Sequence, residues 1–134
     1  MAKLALEDEA VTISDCEIRR AGPSYAIDTV KEIKELIPAD QYTWVIGSDA
    51  FAGLTSWERF EELIGMVDFL VVVRPGASDL PLTSGARFEL LEIGALDISA
   101  TELRSRLNRG EDVGAYLPAG VLSYIKEKHL YGAA

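Results

Sequence analysis

Cysteine and histidine are nearly absent: Cys16 and His129 are the only ones in 134 residues. One cysteine permits no disulfide within the chain, and the pair cannot assemble a zinc cluster. Near a helix end close to the C-terminus, His129 is expected to be a solvent-exposed cap or a packing residue. Cys16 is read as a small core residue in a strand. Long apolar runs are missing as well. No stretch approaches the roughly 18 residues of a membrane helix, and no secretory leader pattern is read, so a cytoplasmic setting is expected. Positive charge is scarce: Lys plus Arg number 13 against 22 Asp plus Glu, a net charge of −9. Such a balance gives no general attraction to nucleic acid or anionic membrane, although one local basic pocket can still hold a phosphate. The sequence contains neither a Walker phosphate loop nor a GxGxxG turn.

What is present is ordinary globular composition, 49% hydrophobic and 26% charged, in a length suited to one domain spanning 1–134. AVTISDCEI (10–18) alternates like a strand. SYAIDTVKEIKELIP (24–38) places Ile27, Val30, Ile33 and Leu36 or Ile37 on one stripe of a helix that ends before Pro38. YTWVIG (42–47) reads as a short strand. A helical turn and a second helix follow, the latter capped by Ser56 and stopped by Gly65. DFLVVVRPG (68–76) has three consecutive valines and predicts a parallel strand buried on both faces. A loop over 77–85 and a strand FELLEI (88–93) come next, and Pro118 opens the last helix. Strands alternating with helices predict a layered α/β fold. The amphipathic fragment MAKLALEDEA stands before any strand. That order suggests either a small fold or a chain lacking the front half of one.

Two strand-to-helix joints carry chemical interest, because ligands of open α/β sheets bind beyond the carboxyl ends of the strands. In VIGSDAF, Asp49 either accepts hydrogen bonds from ribose hydroxyls or caps the next helix. In ALDISATELRSRL, Ser99 and Glu102 suit a capping box, which leaves Thr101 and Arg104 unexplained. A helix N-terminus is a seat for phosphate, and Arg104, on the same face as Thr101, can bridge two phosphate oxygens or simply face solvent. Arg106 is read as a solvated surface arginine. Trp57 is expected at the head of a helix, as core or as a platform for a flat heterocycle. Arg74 follows a buried strand and is either a phosphate reader or a surface residue.

RAGPSYAIDT, VIGSDAF, TSWERFEEL, VVVRPG, LEIGALDISATELRSRL and YLPAGVLSYIKEKHLY occur in an order that resembles the C-terminal two thirds of bacterial nicotinate-nucleotide adenylyltransferases. The resemblance implies a Rossmann-like nucleotidyltransferase fold, a parallel sheet flanked by helices. It implies AMP transfer from ATP, with Mg2+, to nicotinate mononucleotide in NAD biosynthesis. By position, Gly47 and Asp49 match the part holding the ATP ribose, and Ser99, Thr101 and Arg104 match the phosphate signature, with Thr101 and Arg104 nearest the chemistry. Trp57 matches the residue stacking on the pyridine ring, Arg74 an arginine near the mononucleotide phosphate, and Tyr25 the loop beside the nicotinate carboxylate.

Two departures qualify the resemblance. Ala26 stands where the family usually has threonine, and nothing matches the family's His-x-Gly-His. The expectation is therefore an N-terminally truncated domain, with association through its incomplete sheet as a consequence. Two further readings stay open. One is a nucleotide-binding or interaction protein without activity; the other is an adenylyltransferase for another acceptor, such as pantetheine phosphate.

Overall fold

The computed structural model describes residues 1–73, 85–94 and 98–133. The chain forms two compact units, Ser14–Ala95 and Met1–Ile13 with Leu96–Ala134. The first is built on β1 (Thr43–Gly47), β2 (Asp68–Val73) and β3 (Phe88–Glu92), hydrogen-bonded in that order and all parallel. The register pairs Gly47 with Val72 and Val73 with Glu92, so the carboxyl ends of all three strands lie along one edge. Helices α2 (Cys16–Arg19), α3 (Ala26–Leu36), α4 (Ser48–Ala52) and α5 (Phe60–Met66) belong to the same unit.

Side chains alternate across a strand, and β2 shows it: Phe69, Val71 and Val73 are buried while Leu70 and Val72 are half-buried. Ile27 and Val30 of α3, Phe51 of α4, Leu54 and Leu63 pack with Phe69 and Val71 in one core. The Phe51 ring lies 5.0 Å from Phe88 and 5.9 Å from Phe69. Burial of β2 on both faces is therefore not what this unit shows. The valine run reflects its central place between two parallel partners, and its core-facing residues are the alternate ones. On the neighbouring strands Val45, Leu90 and Leu91 are exposed.

The strand expected over 10–18 does not form. Val11 and Ile13 are exposed and pair with no strand among the described residues. Ser14 Oγ instead accepts from the Cys16 amide at 3.3 Å, and Asp15 pairs with Arg19 at 2.8 Å. Those local bonds favour a helical turn, and Cys16 is buried at its start. The α3 stripe is shorter than expected, because Leu36 and Ile37 are exposed. Ser56 caps no helix; its hydroxyl donates to the Gly53 carbonyl at 2.7 Å, closing the 3₁₀ turn Leu54–Ser56. The following helix begins at Phe60 after Arg59, which adopts φ 50°, and runs through Gly65 to Met66.

In the second unit α6 (Ala100–Asn108) and α7 (Ala119–Glu127) pack through Leu107, Val113, Val121, Ile125 and Ala133. The N-terminal fragment contributes only α1 (Ala2–Ala5), with Leu4 against this core. After α7, His129 turns the chain at φ 49° and Leu130–Gly132 form a 3₁₀ turn. No helix among the described residues is long and apolar enough to cross a membrane.

Candidate functional site

In the sheet unit, Tyr25 and Trp57 line one open cavity of about 400 Å³ with Trp44, Ser24, Ala26, Ser56, Glu17 and Glu58. Tyr25 is the N-cap residue of α3, in extended conformation, and no side chain caps that helix. The Asp28 and Thr29 amides bond to the Tyr25 carbonyl at 3.1 and 3.2 Å, closing the first turn. The positive end of α3 therefore opens beside the cavity wall formed by Tyr25 and Ala26.

Trp57 is not at the head of a helix, as the sequence suggests. It follows the 3₁₀ turn in extended conformation, its amide bonded to the Leu54 carbonyl at 3.0 Å, three residues before α5. It is half-buried, and its ring meets Trp44 edge to face, with centroids 6.3 Å apart and planes at 80°.

Two ionic groups hold the cavity walls in place. Arg59 bridges Asp28 in the first turn of α3 to Glu62 of α5, the second at 3.7 Å, and Lys31 also pairs with Glu62. The Glu62 carboxyl consequently lies below its ordinary range, chiefly through the hydrogen bond from Lys31. Arg20, half-buried, donates to Ser24, to Thr29 at 3.2 Å and to Glu32 at 2.8 Å, tying the Tyr25 loop to α3. Thr29 in turn donates to Glu17 at 2.7 Å.

The roles of Trp44, Arg20 and Arg59 are not visible in the sequence. Trp44 reads as strand core, and Arg59 meets Asp28 across 31 positions.

Gly47 ends β1, and a Cβ added there would meet nothing within 4 Å. Asp49 is exposed in the first turn of α4 and makes no capping bond. The helix starts one residue earlier, at Ser48, so of its two readings the hydrogen-bonding cap is removed. Arg74 and residues 95–97 lie outside the described residues, as does most of the loop over 77–85.

In the other unit Ser99 caps α6 as expected, accepting from the Glu102 amide at 3.1 Å. The reciprocal half of the capping box does not form. The Glu102 carboxylate accepts instead from Arg106 Nε at 3.1 Å, one turn along the helix. Arg106 is thus half-buried and paired, and also lies 5.5 Å from the Tyr116 ring centroid; it is not a free surface arginine. Thr101 and Arg104 are exposed, as the capping argument requires of residues left over. The Arg104 guanidinium carbon lies 5.7 Å from the Tyr131 ring centroid. Among the described residues no group of three or more His, Cys, Asp or Glu side chains is placed to hold a metal.

Residues 1–106 match the family described as cytidylyltransferase-like. A probable nicotinate-nucleotide adenylyltransferase of Streptomyces coelicolor is 36% identical over 128 residues, covering 94% of this chain and 68% of that protein. Another, of Leifsonia xyli, is 40% identical and covers 90% and 60%. A third, of Gloeobacter violaceus, is 40% identical over 141 residues and covers 98% and 68%. The chain thus spans roughly two thirds of the length of the curated relatives it matches. Among solved structures, Plasmodium falciparum nicotinic acid mononucleotide adenylyltransferase complexed with APC superposes with a TM-score of 0.65 at 23% identity, over 85% of this chain and 61% of that one. The same enzyme complexed with NaAD superposes equally well. At that identity the likeness establishes the fold, a Rossmann-like parallel sheet flanked by helices.

Proposed function

The chain belongs to the nicotinate-nucleotide adenylyltransferase family, and we propose that it carries the acceptor pocket and phosphate-binding helix of an enzyme that adenylylates nicotinate mononucleotide. The observation carrying this reading is the cavity at the open N-terminus of α3, walled by Trp57, Trp44 and Tyr25. A nicotinate ring bearing ribose is a pyridinium cation with a carboxylate. An indole face attracts the cationic ring, and the free amides at the start of α3 suit the carboxylate. Glu17 and Glu58 also line the cavity; they attract the cationic ring and repel the carboxylate. Pantetheine phosphate offers no aromatic cation and gains little from such walls.

In this reading an oxygen of the mononucleotide phosphate attacks the α-phosphorus of ATP in line. The bond from that phosphorus to the β-phosphate bridging oxygen breaks, and pyrophosphate leaves. No covalent enzyme intermediate is needed, so catalysis is positioning and stabilisation of the equatorial oxygens. Gly47 and Asp49 are the proposed ribose contacts. The α6 amides with Ser99, Thr101 and Arg104 are the proposed phosphate contacts, and Arg74 the proposed reader of the acceptor phosphate. Magnesium enters with ATP, on the triphosphate oxygens, as part of the substrate. A cytoplasmic setting, where ATP is available, fits this chemistry.

The test titrates the 134-residue chain with nicotinate mononucleotide, nicotinamide mononucleotide, phosphopantetheine and ATP while following tryptophan emission, then looks for deamido-NAD. Emission change with the pyridine mononucleotides but not phosphopantetheine is the expected result. Equal responses to all three acceptors would refute the pocket assignment. Binding without product would identify a nucleotide-binding chain inactive by itself.

A further inference from the structure

Arg104 differs from every other described arginine in its partner. Arg19 pairs with Asp15, Arg20 with Glu32, Arg59 with Asp28, Arg87 with Asp68, Arg106 with Glu102 and Arg109 with Glu111. Among the described arginines, Arg104 alone has no carboxylate partner among the described residues; it has the Tyr131 ring. In a chain with 22 acidic and 13 basic residues an arginine clear of acid is unexpected on numbers alone. The surroundings keep it so. Arg104 lines an open depression of about 550 Å³ with Ser105, Asn108, Arg109 and Tyr131, and no carboxylate of the described residues lines it.

The ring reaches that place through an unusual backbone. Tyr131 has φ 56° and ψ 25°, a left-handed conformation that a non-glycine residue seldom adopts, two residues after His129 at φ 49°. Gly132 follows at φ 74°, where a Cβ would come within 3.2 Å of Asn108 Cγ, one turn beyond Arg104 on α6. Ala133 is then buried in the core of the unit. The tail is thus pressed onto α6 in a conformation held by its surroundings, and the ring it presents lies against Arg104. Such backbone outliers point from geometry to a functional demand.

We propose that Tyr131 is a positioning residue for Arg104, its ring holding the guanidinium ready for phosphate oxygens; this rests on the reading of α6 as a phosphate seat. A guanidinium that rests on a ring face is immobilised without using its five N–H donors, whereas an acidic partner would occupy them. The fork then meets polyphosphate already ordered, and less side-chain freedom is lost on binding.

Calorimetric titration of the 134-residue chain with inorganic pyrophosphate and with ATP tests this. Tyr131→Leu is expected to weaken pyrophosphate binding roughly two- to five-fold, the span set by an exposed cation–π contact. Tyr131→Phe, which keeps the ring face, restores binding. Affinity for nicotinate mononucleotide is unchanged in both variants. In an Arg104→Gln background Tyr131→Leu has no further effect. An upfield ring-current shift of the Arg104 δ protons in the unliganded chain, lost in Tyr131→Leu, reads the contact directly even where melting shows that variant to be weakened. If Arg104→Gln weakens binding while Tyr131→Leu does not, or the ring-current shift is absent, the positioning role is overturned and the phosphate seat stands. If Arg104→Gln leaves pyrophosphate binding unchanged, or the unaltered chain fails to bind pyrophosphate, both fall.

Discussion

Trp44 and Trp57 meet edge to face, with ring centroids 6.3 Å apart and planes at 80°. One indole stands on the paired strand β1, and the other follows a short 3₁₀ turn with no regular structure of its own. An edge against an aromatic face is a favourable quadrupole arrangement, and here it lends the rigidity of the sheet to the more loosely held ring. Trp57→Ala is expected to weaken nicotinate mononucleotide binding roughly two- to tenfold, from a stacking contribution of about 0.5–1.5 kcal/mol. ATP binding should change little. Trp44→Leu should produce a smaller loss of the same selectivity. Fluorescence titration with each ligand and a melt of each variant check this; equal weakening of both ligands would make Trp57 a packing residue only.

Gly47 offers a cleaner separation of packing from ligand demand. An added Cβ meets no protein atom within 4 Å, and the backbone is extended at φ −74°. Gly47→Ala is therefore expected to leave stability unchanged or raise it by about 0.4–1 kcal/mol through the unfolded chain. ATP affinity should fall if the nucleotide approaches that backbone closely. Melting and ATP titration of one variant give both numbers, and undiminished affinity would remove Gly47 from the proposed ribose contacts.

The cap of α6 should depend on Ser99 far more than on Glu102. Ser99 Oγ accepts from the Glu102 amide, whereas the Glu102 side chain is engaged with Arg106 on the exposed helix face. Ser99→Ala is expected to cost about 1 kcal/mol. Glu102→Ala should cost less than that, since exposed pairs within a helix contribute little. Thermal melts of the two variants decide it, and a larger loss at Glu102 would mean that the full capping box operates in solution.

Asp68 gives the sheet a dependence on acid. Its carboxyl is held below the ordinary value of 3.8 by hydrogen bonds from Arg87 and then Gln41. A depressed folded-state value means that the contribution to stability is present above the unfolded value and is lost as pH falls through the folded one. Asp68→Asn should therefore narrow the stability difference between pH 6 and pH 3, relative to the unaltered chain. Urea melts across that range measure it. Parallel curves for the two proteins would show that Asp68 titrates normally.

The exposed, partnered positions explain why some of these effects escape a reading of the chain. Arg59 and Asp28 form a bridge 31 positions apart, and nothing in either local segment marks the other. Arg106 looks like any surface arginine until Glu102 and Tyr116 are seen around it. Val11 and Ile13 alternate as a strand should, yet a strand exists only where another offers its hydrogen bonds, and among the described residues none does so there.

By itself the sequence determined the parallel α/β character, three strands read at 42–47, 68–76 and 88–93 and formed at 43–47, 68–73 and 88–92, the Ser99 cap and the family. Those features are local patterns of hydrophobicity and hydrogen-bonding chemistry, or motifs preserved in order. Only the tertiary structure decided which face of β2 is buried, that Trp44 braces Trp57, that Arg20 and Arg59 fix the cavity walls, and that Tyr131 lies over Arg104. Each of these depends on through-space distance between residues that are far apart or turned by an unusual backbone. Periodicity carries the direction of a side chain from its own element, but not the identity of what it meets.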